Sequence, residues 1–151
     1  MIVFDKTISL EEYNYLRSLV DWYQVSERQF IKSIPKSIFI TVGRDSETGK
    51  AVSMARAVGD GGYHLLVVDV IVHPDYQRRG IGKQMISQLM DFVHNEYIED
   101  GETTMVSLLS AKDKEPFYEK FGFFRRPNDE RGAGMSQFYT QKPAENKDLI
   151  N

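Results

Sequence analysis

No cysteine occurs among the 151 residues. Disulfides, thiolate zinc sites and cysteine nucleophiles are thereby excluded, and a reducing compartment, the cytoplasm, is the expected location. No apolar stretch approaches the roughly 20 residues that cross a bilayer as a helix, so no membrane partner is expected. The start, Met1-Ile2-Val3-Phe4-Asp5-Lys6, has neither the basic flank nor the apolar run of a secretory signal. Charge of one sign is also scarce. The formal net charge is −3, which speaks against a nucleic-acid partner, because phosphates reward clustered Lys and Arg. The three histidines show no ligand spacing, and no metal is expected. Internal repeats and low-complexity segments are missing as well.

What is present describes one folded unit. Hydrophobic residues make up 41% and charged residues 27%, an ordinary globular balance. A single domain is expected over 1–142, with 143–151 as a flexible C-terminal tail. Ser9 followed by Glu12 reads as a capping box, and Leu10, Tyr13, Leu16, Leu19 and Val20 continue at helical spacing. A second helix begins at Ser26 and stops near Pro35. Strands are predicted over 37–42, 51–58 and 63–72, the last a β-branched run broken only by His64 and Asp69 and expected to be buried on both faces. Ile81, Met85, Ile86, Leu89, Met90, Val93 and Tyr97 predict a long helix over 80–98. A strand over 103–109, a helix over 115–120 and strands over 123–126 and 137–141 complete the pattern. The order implies an α/β (α+β) fold, a mixed sheet with helices packed on its faces.

The chemically informative stretch is Gln77-Arg78-Arg79-Gly80-Ile81-Gly82, which leads from a buried strand into the long helix. The first N–H groups of a helix have no intrahelical partner, and the macrodipole makes that end positive. Gly80 and Gly82 remove side chains that would block an anion, and Arg78, Arg79 and Lys83 add countercharge. A Walker loop fails here, since Gln77 and Gln84 occupy its required Gly and Ser/Thr positions around Lys83. A dinucleotide fingerprint fails at its third glycine, where Met85 stands.

This loop resembles motif A of the GNAT superfamily of N-acetyltransferases, Q/R-x-x-G-x-G/A after a strand. Pro116-Phe117-Tyr118-Glu119-Lys120-Phe121-Gly122-Phe123 resembles the family's second hallmark, a helix with Phe-Tyr that ends in Gly-Phe. The resemblance implies a mostly antiparallel sheet flanked by helices, with a bulged strand before motif A that splays from its neighbour. It further implies acetyl-CoA as cosubstrate, its pyrophosphate on the amides of Arg78 to Lys83 (Arg78, Arg79, Gly80, Ile81, Gly82 and Lys83), with Gln77 in the same loop. The strand edge at Val70, Ile71 and Val72 would meet the pantetheine. Where many members carry Asn, this chain has Ala111, with Ser110 or Lys112 as substitutes. A homodimer is the assembly that similar folds suggest.

Direct acetyl transfer to a primary amine needs a route for the amine proton, a donor to the oxyanion and a proton for the departing thiolate. The resemblance makes Tyr118 the acid. Asp69 is the one carboxylate in the buried run, and its place four residues before His73 resembles the Asp-Val-x-Val arrangement of the plant-type serotonin N-acetyltransferases. It is therefore a candidate base, with a water chain as the alternative and a structural carboxylate bonded to backbone or Arg56 as the plain reading. Trp22, Tyr23, Phe30, Ile31, Met135 and Phe138 are candidate acceptor contacts. A small-molecule amine is the expected acceptor; a peptide or protein amine, or a non-catalytic acyl-CoA-binding module, are the alternatives. Arg125 and Arg126 read as a solvated strand end or a coenzyme phosphate contact.

Overall fold

A computed structural model describes residues 1–141; the expected tail over 143–151 lies outside the described residues. Five strands form one sheet in chain order: β1 (Ile2–Asp5), β2 (Phe39–Asp45), β3 (Ala51–Gly59), β4 (His64–Val72) and β5 (Met105–Leu108). The first four pair antiparallel, and β4 with β5 is parallel. Helices α1 (Leu10–Ser18) and α2 (Glu27–Ser33) cover one face. Helices α3 (Ile81–Phe92) and α4 (Glu115–Glu119) cover the other.

Local chemistry explains the helix starts. Ser9 accepts from the Glu12 N–H while Glu12 accepts from the Ser9 N–H, and Ser26 with Gln29 repeats the arrangement. Each cap is worth about 1 kcal/mol. Glu12, read from the sequence as a capping-box residue, also takes two hydrogen bonds from Arg44, at 2.6 and 3.2 Å. The stripe read for α3 is its buried face: Ile81, Met85, Ile86 and Leu89 are at most 3% exposed. The helix does not stay α-helical to 98; a π-helical turn spans Val93–Tyr97.

Alternation on the sheet separates two cores. Met54 joins Tyr13, Leu16, Val42 and Ile71 beneath α1, while its neighbours Ala55 and Ala57 face α3. In β4, Leu65 and Val67 face α3. By strict alternation Ile71 would follow them, yet it packs beneath α1. The cause is a bulge. Met54 pairs with Ile71 and Arg56 with Val68, so Ala55 alone opposes both Asp69 and Val70. Asp69 takes φ 55 there.

Two expectations are corrected. β4 is not buried on both faces throughout, because Leu66 is 38% exposed and His64 is exposed; α1 and α2 cover the Ile71 end and leave the other uncovered. The strands predicted over 123–126 and 137–141 do not form, since neither stretch finds a strand partner among the described residues.

Candidate active site

Pairing of β4 with β5 runs from His64↔Met105 to Val67↔Leu108 and stops. From Val68 onward the β5-facing edge of β4 has no strand partner among the described residues, so Val70, Ile71 and Val72 border an opening. The bulge lies at the start of that opening. A strand that has lost its neighbour offers unpaired N–H and C=O groups to whatever enters.

The chain then turns through Pro74–Tyr76, where the His73 ring accepts from the Asp75 N–H at 3.1 Å. That bond makes Nδ1 an acceptor, so Nε2 carries the hydrogen and points it at the Tyr15 hydroxyl, 3.1 Å away. His73 is thus a turn residue. Gln77 donates its side-chain amide to the Val72 carbonyl at 3.1 Å, tying the loop to the strand end. Arg78 has φ 60 and Gly80 φ 79, and an alternation of this kind curls backbone N–H groups into a concave nest. The guanidinium of Arg79 lies 5.0 Å from the Tyr76 ring centre, and Tyr76 is fixed by its bond to Asp45.

The first α-helical bond of α3 runs from the Gln84 N–H to Gly80 O, leaving the N–H groups of Ile81, Gly82 and Lys83 without helical partners. Nothing stands within 4 Å of where a Cβ would sit on Gly80. At Gly82 a Cβ would touch the Phe117 ring at 3.4 Å and Val72 at 3.9 Å. Gly82 therefore permits α4 to pack onto the start of α3 and the end of β4. Such a cradle suits a diphosphate.

Tyr118 follows Phe117, with ring centres 5.0 Å apart in an edge-to-face contact. Burial pushes its phenol up to about 12, so the hydroxyl keeps its proton at neutral pH. It lines a groove of about 870 Å3 beside β5, with Met90, Ser107 and Leu108. Ser110, a suggested substitute for the missing Asn, turns its hydroxyl to the Ala111 carbonyl at 2.7 Å.

Asp69 is 8% exposed and receives three donors: Arg17 Nη1 at 2.8 Å, Arg56 Nε at 2.8 Å and the Tyr13 hydroxyl at 2.7 Å. The Arg56 contact matches the plain reading of this residue. Arg17 and Tyr13 were not anticipated as its partners; both lie on α1, far away in the chain, and the helical stripe that includes Tyr13 marks it only as a packing residue. Burial, followed by the Asp69 charge, pushes the Tyr13 phenol up to about 12, so it acts as a fixed donor. Two cations and a phenol thus occupy both oxygens of this carboxylate. Arg17 also donates to the Tyr23 carbonyl at 2.7 Å and faces the Trp22 ring, connecting Asp69 to the loop after α1.

Of the suggested acceptor contacts, Trp22, Tyr23 and Ile31 are exposed, and Phe30 packs beneath α1. Phe138 lies against Tyr23, with ring centres 5.3 Å apart. Arg125 pairs with Glu119 at 2.6 Å. Among the described residues no three His, Asp or Glu side chains gather as a metal site would need, and no helix is long and apolar enough to cross a membrane.

Comparison with known proteins bears on this arrangement. A family model described as the acetyltransferase (GNAT) domain matches residues 35–125. The chain is 29% identical over 130 residues to an uncharacterized N-acetyltransferase, ycf52, of Pyropia yezoensis, covering 85% of this chain and 72% of that protein. It is 27% identical over 98 residues to serotonin N-acetyltransferase 2, chloroplastic, of Oryza sativa subsp. japonica, covering 65% of this chain and 46% of the rice protein. A crystal structure of a Staphylococcus aureus protein of unknown function superposes with a TM-score of 0.80 at 26% identity, over 92% of this chain and all of the other. Since the family model spans more than half of the residues and includes the bulged strand, the glycine loop and α4, the chain belongs to the GNAT acetyltransferases.

Proposed function

We propose that this acetyltransferase transfers the acetyl group of acetyl-CoA directly to the primary amine of a small molecule. The observation that carries the reading is the interrupted strand. β4 is bulged at Asp69 and open beyond Val67, and it leads to a helix start cleared of side chains at Gly80 and Gly82. Acetyl-CoA supplies the activated thioester. The N–H groups of Ile81, Gly82 and Lys83 hold its pyrophosphate, with Arg78 and Arg79 as countercharge and Gln77 fixing the loop. The open edge at Val70, Ile71 and Val72 takes the pantetheine amides as a strand would.

Tyr118 donates to the departing thiolate. A phenol raised to about 12 is a hydrogen-bond donor throughout the neutral range, which suits a partner that develops negative charge. The amine proton leaves through water. Asp69, the other candidate base, holds Arg17, Arg56 and Tyr13 and thereby fixes the bulge.

Exposed Trp22 and Tyr23 on the loop after α1 favour an aryl- or alkylamine acceptor. The rice relative's name, a serotonin N-acetyltransferase, agrees with that class. The cytoplasm is the proposed compartment; the rice relative is named chloroplastic, so a plastid stroma is the counterpart to test by fluorescent fusion. The decisive experiment is thiol release from acetyl-CoA across a panel of aryl-, alkyl- and polyamines, aminoglycosides and peptides, with products read by mass spectrometry. Acetylation of small amines supports the proposal, and turnover of peptides alone overturns the acceptor class. Ala111, in place of the usual Asn, favours one second reading, an acyl-CoA-binding module. Coenzyme binding without thiol release for any amine would establish it.

A further inference from the structure

One guanidinium touches both the bulge and the loop that follows α1. Arg17 donates through Nη1 to Asp69 Oδ1 at 2.8 Å and through Nε to the Tyr23 carbonyl at 2.7 Å. Its central carbon lies 5.6 Å from the centre of the Trp22 ring. The group is planar and rigid, so two of its nitrogens bonded to different elements fix the distance between those elements. The Arg17 side chain is only 16% exposed, and water competes little for these bonds.

The backbone repeats the link. The Trp22 N–H donates to the Arg17 carbonyl at 3.1 Å and the Asp21 N–H to the Ser18 carbonyl at 3.3 Å, the two bonds of a Schellman closure. Asp21 fills its left-handed position, with φ 56, where glycine is the usual occupant. A side chain costs free energy there, so the turn persists because its surroundings determine it. Further on, Asn14 exchanges two hydrogen bonds of 2.9 Å with the Val25 backbone and fixes the far end of the same loop. Between these anchors Trp22 and Tyr23 are 37% and 68% exposed. Rings held through their backbone and left uncovered form a lip, and Arg17 bonds this lip to the bulge at which the opening in β4 starts.

We propose that Arg17 is a positioning residue for the acceptor. It sets Trp22 and Tyr23 at a fixed reach from the opening and thereby determines the affinity for amines that carry a ring. The inference rests on the acceptor reading given above and adds the group that couples the lip to the strand. Because Arg17 acts through the two rings, its loss changes acceptor binding and leaves the coenzyme site as it is.

Arg17→Lys tests this, since it keeps a cation opposite Asp69 but replaces the fork that reaches Tyr23 by a single ammonium. With phenethylamine as acceptor, its KM should rise about 10-fold while kcat and the KM for acetyl-CoA stay within about twofold. A purely structural role lowers the folded fraction, which reduces kcat and leaves KM alone; that result overturns the proposal. So do equal rises in both KM values, or no change at all. A second readout needs no turnover. Trp22 is the only tryptophan of the chain, so its fluorescence reports the lip alone. Trp22 is 37% exposed, and release of the lip should make acrylamide quenching about twofold stronger in Arg17→Lys. The affinity for coenzyme A, read by calorimetry, should not move. Equal quenching overturns the proposal. If the unaltered protein does not turn over phenethylamine, the acceptor reading is what fails, and the quenching comparison decides the Arg17 tie by itself. If Arg17→Lys does not fold, Trp22→Leu takes its place, because it leaves Asp69 paired. The same rise in phenethylamine KM is then expected, and an unchanged KM overturns the proposal.

Discussion

The Tyr13 hydroxyl donates to Asp69 across 2.7 Å, from a helix on the face of the sheet to the bulge within it. With Arg17 and Arg56 on the same carboxylate, the contact pins α1 to the point where β4 breaks its alternation. A base and an anchor respond differently when the charge is removed.

Asp69→Asn should therefore act first on stability. Leaving Arg17 and Arg56 facing a neutral group costs about 3–5 kcal/mol, read as a lower urea midpoint. Tyr13→Phe, which deletes one bond to a charged group, should cost about 1.5–3 kcal/mol. If Asp69→Asn kept its urea midpoint but lost turnover together with the acidic limb of the pH–rate profile, the carboxylate would be the base after all.

Tyr118→Phe should lower kcat by about 100-fold, the lower end for loss of a positioned proton donor. The affinity for coenzyme A, measured by calorimetry, should stay within a factor of two to three. Equal losses in both would assign Tyr118 a packing role beside Phe117 instead.

Gly82→Trp should abolish coenzyme binding while far-UV circular dichroism stays native. An added Cβ already meets the Phe117 ring at 3.4 Å and Val72 at 3.9 Å, so an indole there crowds the start of α3. Retained affinity would contradict the diphosphate assignment.

Both Tyr13 and Tyr118 have phenols raised to about 12 from the ordinary 10. The unfolded chain releases these protons near pH 10 and the folded one keeps them. Their contribution to stability is thus complete below pH 10 and is lost as pH rises through about 12. Urea midpoints should fall across that window, and less steeply for Tyr13→Phe and Tyr118→Phe. An alkaline fall in kcat centred below pH 10 would belong to a group other than Tyr118.

The elements legible in the sequence are those that rest on neighbours in the chain. The Ser9 and Ser26 caps, the α3 stripe and the glycine loop each follow from residues a few positions apart. Asp69 was visible as an anomaly in a β-branched run, and the family resemblance implied a bulge in that strand, but the tie from Asp69 to α1 was not legible, because Tyr13 reads as an ordinary member of the apolar stripe. Arg17 looks like any polar residue on a helix. The segments over 123–126 and 137–141 show the reverse failure: strand composition is a local property, whereas a strand needs a hydrogen-bonded partner, and neither segment pairs with one within the described residues.

The extra residue in β4 makes this strand two half-strands of opposite phase, one keyed to α3 and the other to α1. Deleting Asp69 would leave Val70 alone opposite Ala55, keep Ile71 opposite Met54 beneath α1, and let the ladder with β3 run on unbroken. The chain would gain a more regular β-sheet and lose the carboxylate that holds Tyr13, Arg17 and Arg56, so in this molecule a single added residue is the fastening between a helix and the strand it covers.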